Sequence, residues 1–414
     1  MTGAIIGAVG QMLNPSLALL ISILVILVPI RLKVHPGFAI FAGSIVIMLL
    51  VLPFSSVPSL MLRTLIDKQT LTLLVVVASA MTMSSLMEIK GLLTRLATTM
   101  ESIGPRLAMH LVPAVIGLVP MPAGALVSAT AVKGVAQRLK LTPEQGTFIN
   151  YWFRHIWEFS IPVYPTIIVT SAVLAIPIAV TVKTLAPITA LVISLGVLVS
   201  YQLLKKTPRI RTGTRGSARS IVYNLFTASW PILLLIVLIF SGVDAMIAFP
   251  VTLILLIGQQ RAKPPHLKQA FKYGLNPRVL LLLYAIMLYK ATVESSGVAR
   301  TLVSDMQAVG LPPLLMLIGL PLLMGLATGF GPAFAGLALP LLVPYILVDS
   351  SFSSGALILA FVSGMMGMLL SPTHLCFILS AEHFEAALVK VYRYTLPLAL
   401  VIETIVIAVY YITK

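Results

Sequence analysis

The 414-residue sequence is strongly apolar, with 59% hydrophobic residues, only 10% charged residues and a formal net charge of +16. A soluble domain carries far more charge than this, so the composition excludes a soluble globular protein and predicts a chain that crosses a lipid bilayer many times. In such a chain the positive charge is typical of cytoplasmic loops rather than of contacts with nucleic acid, and the single cysteine, Cys376, excludes an intrachain disulfide.

The apolar segments predict an all-α polytopic membrane protein with about ten transmembrane helices of roughly 20 residues each. In chain order the predicted helices cover residues 15–32, 37–53, 69–88, 145–173, 178–204, 222–241, 243–258, 279–296, 353–380 and 386–411. Two further apolar segments, 106–138 and 311–347, are divided by prolines and glycines into arms too short to cross ~30 Å of hydrocarbon. We predict that both are re-entrant hairpins, which enter the bilayer and return to the same side.

Two of the predicted helices contain breaks. The helix 145–173 is interrupted at 160–165 and the helix 353–380 at 371–374, in each case at a proline. A proline in a spanning helix frees backbone carbonyl groups, which are tolerated in a bilayer only where protein or a cavity satisfies them. The two breaks therefore indicate positions for a site within the membrane.

The basic residues orient the predicted helices. If each hairpin returns to the side of the membrane from which it enters, most of the 28 lysines and arginines fall in segments on one side of the membrane, including the linker 205–220. Cytoplasmic segments are enriched in lysine and arginine. This side is therefore predicted to be cytoplasmic, and both termini are predicted to lie outside.

The two halves of the sequence share a pattern of glutamates, glycines and prolines. The matched positions are Glu88 with Glu294, Gly91 with Gly297, Gly104 with Gly310, Pro122 with Pro332, and Pro162 with Pro372. We predict two repeats, 1–204 and 221–414, each with five crossings and one hairpin. An odd number of crossings inverts the second repeat relative to the first. Inverted repeats with paired broken helices are typical of secondary transporters, whose site lies near the bilayer midplane.

The sequence resembles a known family over nearly its whole length, and the motifs of this resemblance are the segments 121–125, 150–158 and 370–375. They resemble a family of prokaryotic integral membrane proteins of unknown function in the ion-transporter superfamily, which includes citrate, dicarboxylate–sodium and gluconate transporters. The resemblance implies a homodimer in the prokaryotic plasma (inner) membrane. It also implies a transport domain that carries both hairpins and moves like an elevator against a scaffold. The Ser-Asn-Thr that dicarboxylate–sodium relatives carry at their hairpin tips is absent here, which favours protons over sodium as the coupling ion.

The segment 150–162 places three ionisable residues, Arg154, His155 and Glu158, inside an apolar helix. Such groups at membrane depth cost a few kcal/mol each and usually face a partner or a wet cavity. We therefore predict a substrate site formed by this segment, the hairpin tips and the second break. The predicted substrate-binding residues are Pro122, Ala123, Gly124, Asn150, Arg154, Ser160, Thr328, Gly329, Gly331, Pro332, Ser371 and Thr373. The alternative for the glycines is that they only let the hairpins turn and pack closely.

The residue types suggest a role for each ionisable group. The planar guanidinium of Arg154 suits a carboxylate, and the i,i+4 spacing allows Glu158 to pair with it. We predict that Arg154 binds the substrate and that Glu158, His155 and His374 are ion-coupling residues, because a histidine can titrate near neutral pH. An Arg154–Glu158 pair with a purely structural role is the alternative.

Together these patterns predict a secondary active transporter of a small organic anion of the carboxylate type, coupled to H⁺ or Na⁺, and not an enzyme. We expect no cofactor, no metal site and no nucleic-acid partner; the expected partners are the anion, the bilayer and a second copy of the chain. A cation–proton antiporter or an arsenite-type exporter, in which Glu158 would titrate, is the alternative. A membrane-embedded enzyme using His155, Glu158 and His374 is less favoured, because the sequence shows no nucleophile elbow and no His-Glu-x-x-His spacing.

Overall fold

The computed structural model describes residues 14–121, 124–208, 217–348 and 351–413. Helices dominate this part of the chain, and its strand structure is one short antiparallel pair, β1 (Leu347–Val348) with β2 (Ser351–Phe352). A chain inside lipid has to satisfy its backbone hydrogen bonds internally, which an α-helix does within a single segment. The apolar sequence therefore folds as helices.

The helices of the first half are α1 (Pro15–Arg31), α2 (Pro36–Val51), α3 (Val57–Ile66), α4 (Lys68–Ile89), α5 (Leu92–Glu101), α6 (Pro105–Ile116), α7 (Gly124–Arg138), α8 (Pro143–His155), α9 (Pro165–Leu174) and α10 (Ile178–Leu204). Those of the second half are α11 (Ala218–Phe240), α12 (Ala245–Gln259), α13 (Pro264–Gly274), α14 (Pro277–Ser296), α15 (Val298–Ala308), α16 (Pro313–Thr328), α17 (Gly331–Ile346), α18 (Ser354–Leu370), α19 (Leu375–Phe384) and α20 (Leu388–Thr413). Many begin with a proline in the first turn after a capping residue. Thr142 and Gln145, for example, form a capping box at the start of α8.

Six helical stretches among the described residues are long and apolar enough to cross a bilayer. They are Lys68–Ile89, Ile178–Leu204, Ala218–Phe240, Pro264–Ser296, Ser354–Phe384 and Leu388–Thr413. Shorter apolar helices of 10–17 residues lie between them. The chain is therefore an all-α, polytopic, membrane-embedded protein, as its composition predicted.

Helix α18 lies at the centre of the molecule. Every residue from 355 to 369 is buried, which is typical of a helix that is apolar on all sides. It packs closely against α16. At Gly325 and Gly367 an added methyl group would overlap backbone atoms of the facing helix. Small residues allow such close approach between helices in a membrane.

The two halves of the chain interlock. Helix α6 packs against α7 and α8, and α16 packs against α17 and α18. Across the halves, α7 packs against α19 and α17 packs against α9. The second arm of each helical hairpin thus lies on the broken helix of the other half, and this arrangement brings both hairpin turns to one place.

The structure contains a helix that the sequence does not predict. No helix is predicted between residues 258 and 279, whereas the structure has helix α13 there. Ala270 and Gly274, which are spaced i,i+4, form its buried side, and Lys268 and Lys272 lie on the exposed side. The helix packs against α4. The lysines therefore mark the solvated face of an amphipathic helix rather than a loop.

His35 supplies a pH-dependent cap to helix α2. Its Nδ1 accepts a hydrogen bond of 3.2 Å from the backbone N–H of Gly37. Burial, together with the nearby charge of Arg278, lowers the pKa of His35 below its ordinary value. The folded protein therefore favours the neutral ring. The resulting stability is present above the unfolded pKa of about 6.5 and is lost as the pH falls through the lower folded value.

We expect the His35→Asn variant to lose less thermal stability on acidification than the wild type. Asparagine keeps a capping acceptor but does not titrate. The difference should reach a degree or two in melting temperature, because a cap contributes about 1 kcal/mol, which is small for a chain of this size. Melting curves of both proteins between about pH 7.5 and about pH 5 check this. If the melting temperatures of both proteins fall equally on acidification, titration of the His35 cap does not cause the loss of stability.

Candidate functional site

A cavity of about 280 Å³ lies where the two hairpin turns meet the two broken helices. Its wall combines residues from the turn after α6, the segment between α8 and α9, the turn between α16 and α17, and the segment between α18 and α19. This volume suits a small organic molecule. A larger cavity of about 670 Å³, lined in part by Lys68 and Asp244, holds none of the residues that the sequence predicted for the site.

Arg154 is the most unusual residue of the cavity wall. Its side chain is only 2% exposed. Its Nη1 donates a hydrogen bond of 2.9 Å to the Tyr164 hydroxyl, and its Nη2 donates one of 3.4 Å to the Val119 carbonyl. Its Nε has no hydrogen-bond partner among the described residues. A buried guanidinium is thus held in place by neutral groups and keeps its Nε–H without an acceptor among the described residues.

The ion pair that the i,i+4 spacing allows between Arg154 and Glu158 is not formed; Glu158 lies beside His155 instead. The α-helix α8 ends at His155 and continues as a 3₁₀ turn at Ile156–Phe159. In a 3₁₀ turn residues i and i+3 are aligned, whereas in an α-helix residues i and i+4 share a face. Accordingly, His155 Nε2 lies 3.9 Å from Glu158 Oε1.

The two histidines of the broken helices face each other. His155 Nε2 and His374 Nε2 are 3.1 Å apart. On the other side of each ring, His155 Nδ1 lies 2.6 Å from the Tyr151 carbonyl oxygen and His374 Nδ1 lies 2.6 Å from the Gly329 carbonyl oxygen. The thiol of Cys376 is close to both rings, since these three possible ligand atoms all lie within 4.8 Å of one another.

Side chains from the broken helices hold both hairpin turns. The Tyr164 hydroxyl donates a hydrogen bond to the Gly117 carbonyl in the first turn, and His374 bonds to the Gly329 carbonyl in the second. Gly329 has a φ of +59°, which favours glycine. An added Cβ at Gly124 would lie 2.6 Å from Arg154 Nη2. The glycines therefore allow the backbone of both turns to lie closer to the broken helices than a residue with a Cβ would.

Several predicted substrate-binding residues do not contribute their side chains to the cavity. Asn150 is buried and donates to the Ala125 carbonyl and to the Ser380 hydroxyl, and the Ser160 hydroxyl bonds to that of Thr189. Helix packing explains both positions: these side chains join α8 to α7 and α19, and the first break to α10.

Other predicted residues support the second hairpin turn or fall outside the description. The Ser371 hydroxyl donates to the Leu326 carbonyl and bonds to Thr373, and the Thr328 hydroxyl donates to the Met324 carbonyl. Gly329, Gly331, Pro332, Arg154, Glu158 and His374 do line the cavity. Pro122 and Ala123 lie outside the described residues.

A comparison with known families assigns the chain. The sequence model of a family described as "Protein of unknown function (DUF401)" matches residues 14–413. The chain belongs to this family. The match includes both hairpins and both broken helices, so the cavity lies entirely within the part that defines a DUF401 protein. None of the curated proteins matches the sequence.

The cavity wall also contains residues that were not predicted, among them two tyrosines and the cysteine. Tyr164 lies in the first break, Cys376 follows the second, and Tyr273 comes from helix α13. Tyr164 and Cys376 are each within ten residues of a predicted site residue. Their proximity to the breaks could therefore have identified them as site residues from the sequence. No local signal could place Tyr273, because no helix was predicted in its part of the chain.

Proposed function

We propose that this protein is a secondary active transporter that carries a small organic anion of the carboxylate type through the cavity between the hairpin turns. The observation that carries the proposal is the buried guanidinium of Arg154. It makes no salt bridge among the described residues and keeps Nε free. A buried charge without a partner costs several kcal/mol. A carboxylate would supply the counter-charge, and its two oxygens fit the guanidinium fork.

Helix ends add to the positive character of the cavity. The N-termini of α9, α17 and α19 lie at its wall, at Pro165, Gly331 and Leu375. The first backbone N–H groups of a helix have no partner within the helix, and the helix dipole places partial positive charge there. Three such ends beside Arg154 favour an anionic ligand over a cationic one.

The packing of the helices supports an inverted-repeat architecture, which we propose for the two halves. Each of α1–α10 has a counterpart ten helices later, and contacts between elements recur in reciprocal pairs. Helix α4 packs against α12 and α13 as α14 packs against α2 and α3, and α5 packs against α11 as α15 packs against α1. The cross-packing of α7 with α19 and of α17 with α9 follows the same relation. Such a repeat is typical of secondary transporters.

Helix lengths support the proposal that both hairpins are re-entrant. Helix α6 has 12 residues, α7 has 15, and α16 and α17 have 16 each. At 1.5 Å per residue these arms reach roughly 18–24 Å, which is less than the ~30 Å of a bilayer core. Arms that turn inside the membrane would place the cavity near the midplane.

We propose membership of the ion-transporter superfamily and, with it, elevator-type movement in a homodimer of the prokaryotic plasma membrane with both termini outside. Helices α4–α10 and α14–α20, which build the cavity and the hairpins, would form the moving domain. Helices α1, α2, α11 and α12 would form the scaffold. The support is the exposed apolar surface of this scaffold, with Leu20, Leu24, Val237 and Ile254 each more than half exposed, because a dimer interface or lipid would cover it.

We further propose that transport is coupled to a cation gradient. His155, Glu158 and His374 lie together beside Arg154, so a cation held there would share one compartment with the anion. H⁺ and Na⁺ are the candidate ions from the sequence. Na⁺ is a hard cation and such ions take oxygen ligands, whereas these three residues and the neighbouring Cys376 offer two imidazoles, a thiol and one carboxylate. Its chemistry therefore disfavours Na⁺.

Reconstituted protein tests the proposed function. Proteoliposomes preloaded with each of a panel of mono-, di- and tricarboxylates should show counterflow of at least one labelled member. Electrogenic currents on solid-supported membranes, recorded with the same anions and with monovalent cations, separate an anion carrier from a cation–proton antiporter. Counterflow with no anion, together with currents that respond to cations alone, would refute the proposal in favour of the antiporter.

Tyr164→Phe should weaken binding of the transported anion by roughly 10- to 100-fold. The change removes the hydroxyl that fixes Arg154, and a hydrogen bond to a charged group contributes about 1.5–3 kcal/mol. Tyr289→Phe is the matched control, because the Tyr289 hydroxyl is buried without a hydrogen-bond partner among the described residues. The concentration dependence of counterflow measures both. Equal losses in the two variants would mean that Tyr164 does not orient the guanidinium.

A further inference from the structure

The hydrogen bonds of His155 and His374 fix where each ring carries its hydrogen. Nδ1 of His155 is 2.6 Å from the Tyr151 carbonyl oxygen, and Nδ1 of His374 is 2.6 Å from the Gly329 carbonyl oxygen. A carbonyl oxygen can only accept, so both Nδ1 atoms must donate. A neutral imidazole carries a single hydrogen, and therefore both Nε2 atoms present lone pairs.

These two lone pairs point at each other. The Nε2 atoms are 3.1 Å apart, and two acceptors at this distance repel unless a positive centre lies between them. That centre is either a shared proton or a metal ion. Zinc–imidazole bonds of about 2.0–2.1 Å in a tetrahedral site place two nitrogens roughly 3.3–3.4 Å apart, which is close to the separation in this protein.

A third donor atom lies beside the two rings. One nitrogen of each ring and Cys376 Sγ all lie within 4.8 Å of one another, and Glu158 Oε1 is 3.9 Å from His155 Nε2 at the edge of this group. A shared proton would use only the two ring nitrogens, whereas a metal ion would use the thiol as well. The Nδ1–H bonds to backbone carbonyls are the usual outer contacts of metal-binding histidines.

We propose that His155, His374 and Cys376 bind a transition-metal ion of the zinc class, with the fourth position of the metal open beside Glu158. Imidazole and thiolate ligands select such borderline ions over Na⁺, Mg²⁺ or Ca²⁺. On binding, the Cys376 thiol releases its proton to solvent and the sulfur donates the freed electron pair to the metal. No oxidation or reduction is involved.

The metal site would also affect the anion. A divalent ion, the Cys376 thiolate, the Glu158 carboxylate and the Arg154 guanidinium together leave one positive charge, which a bound carboxylate would neutralise. The metal and the anion should therefore strengthen each other's binding, and by linkage equally so in both directions. This consequence rests on the proposed function, whereas metal binding itself does not.

Cobalt substitution tests the site directly. The full-length protein, purified without a polyhistidine tag, is titrated with Co²⁺ and its absorption spectrum recorded in the absence of any carboxylate. We expect one Co²⁺ per chain, a thiolate-to-cobalt charge-transfer band, and displacement by Zn²⁺. Cys376 is the single cysteine of the chain, so the band can report only this residue. The spectrum of the wild-type protein is therefore enough to show whether Cys376 binds the metal.

Variants then test the other ligands. Cys376→Ser should lack the band, and His374→Gln should weaken Co²⁺ binding at least tenfold. His110→Gln is the control, because His110 is a largely buried histidine that bonds to Ser200 away from the cavity, and it should bind Co²⁺ as the wild type does. Absence of the band at excess Co²⁺, or unchanged affinity in a folded His374→Gln variant, would overturn the proposal and leave a shared proton between the rings.

Anion counterflow is measured separately, so the metal site and the transport function can fail independently. A charge-transfer band without any counterflow would uphold the metal and refute the carrier. Counterflow without the charge-transfer band would uphold the carrier and refute the metal site.

Discussion

Replacing Arg154 with glutamine should abolish carboxylate transport and leave the protein at least as stable as the wild type. Removing one partner of a buried charge pair costs about 2–5 kcal/mol of binding, which corresponds to roughly 30- to several-thousand-fold in affinity. The free protein, in contrast, would lose a buried guanidinium that has no salt bridge and a free Nε among the described residues. Arg154→Lys keeps the charge without the planar fork and should be intermediate.

Lys290 provides the matched control for this experiment. It is also buried, at 5% exposed, but it forms an ion pair with Glu294 at 3.6 Å and donates a hydrogen bond to Gln69 at 2.7 Å. Lys290→Gln should therefore lower the melting temperature and leave counterflow intact. If Arg154→Gln instead destabilised the protein and preserved counterflow, Arg154 would be structural and the anion assignment would fall.

Gly331→Ala should reduce transport at least tenfold, and Thr166→Ala should restore much of the loss. Gly331 begins helix α17 at the second hairpin turn, and an added Cβ would overlap the Thr166 hydroxyl at the start of α9. Overpacking of this kind costs about 1–3 kcal/mol, and at the cavity wall it would displace the turn from its position beside Arg154. The double variant removes the overlapping atom. Counterflow rates of the single and double variants measure the effect.

The rescue separates a local contact from a general loss of folding. Gly258→Ala is the control substitution, because Gly258 lies in helix α12 with nothing within 4 Å of the added atom, and it should leave transport unchanged. A double variant no better than Gly331→Ala alone would show that the Gly331–Thr166 contact does not limit transport.

The positions of the helix breaks could be predicted from the sequence. Prolines and glycines act through local backbone geometry, which depends on few neighbours. The predicted break at 371–374 coincides with the gap between α18 and α19, and the segment 311–347, predicted to be divided into two arms, consists of α16 and α17. The first break begins earlier than the predicted 160, since α8 already ends at His155.

The contacts of the site depend on more distant features. The Arg154–Glu158 contact that the helical spacing allows is absent because the change to a 3₁₀ turn aligns Glu158 with His155. Asn150 was predicted to bind substrate because a polar residue in an apolar helix indicates a site. Its partner Ser380 lies in the other half of the chain, and no spacing rule could reveal a pairing of that kind.

The cross-packing of the hairpins has a consequence for biosynthesis. Helix α7 and the amide of Asn150 find their partners in α19, which leaves the ribosome only after most of the chain has been made. These contacts between the halves can form only after α19 has been synthesised. We therefore expect the packing of the first hairpin to be completed late in biosynthesis.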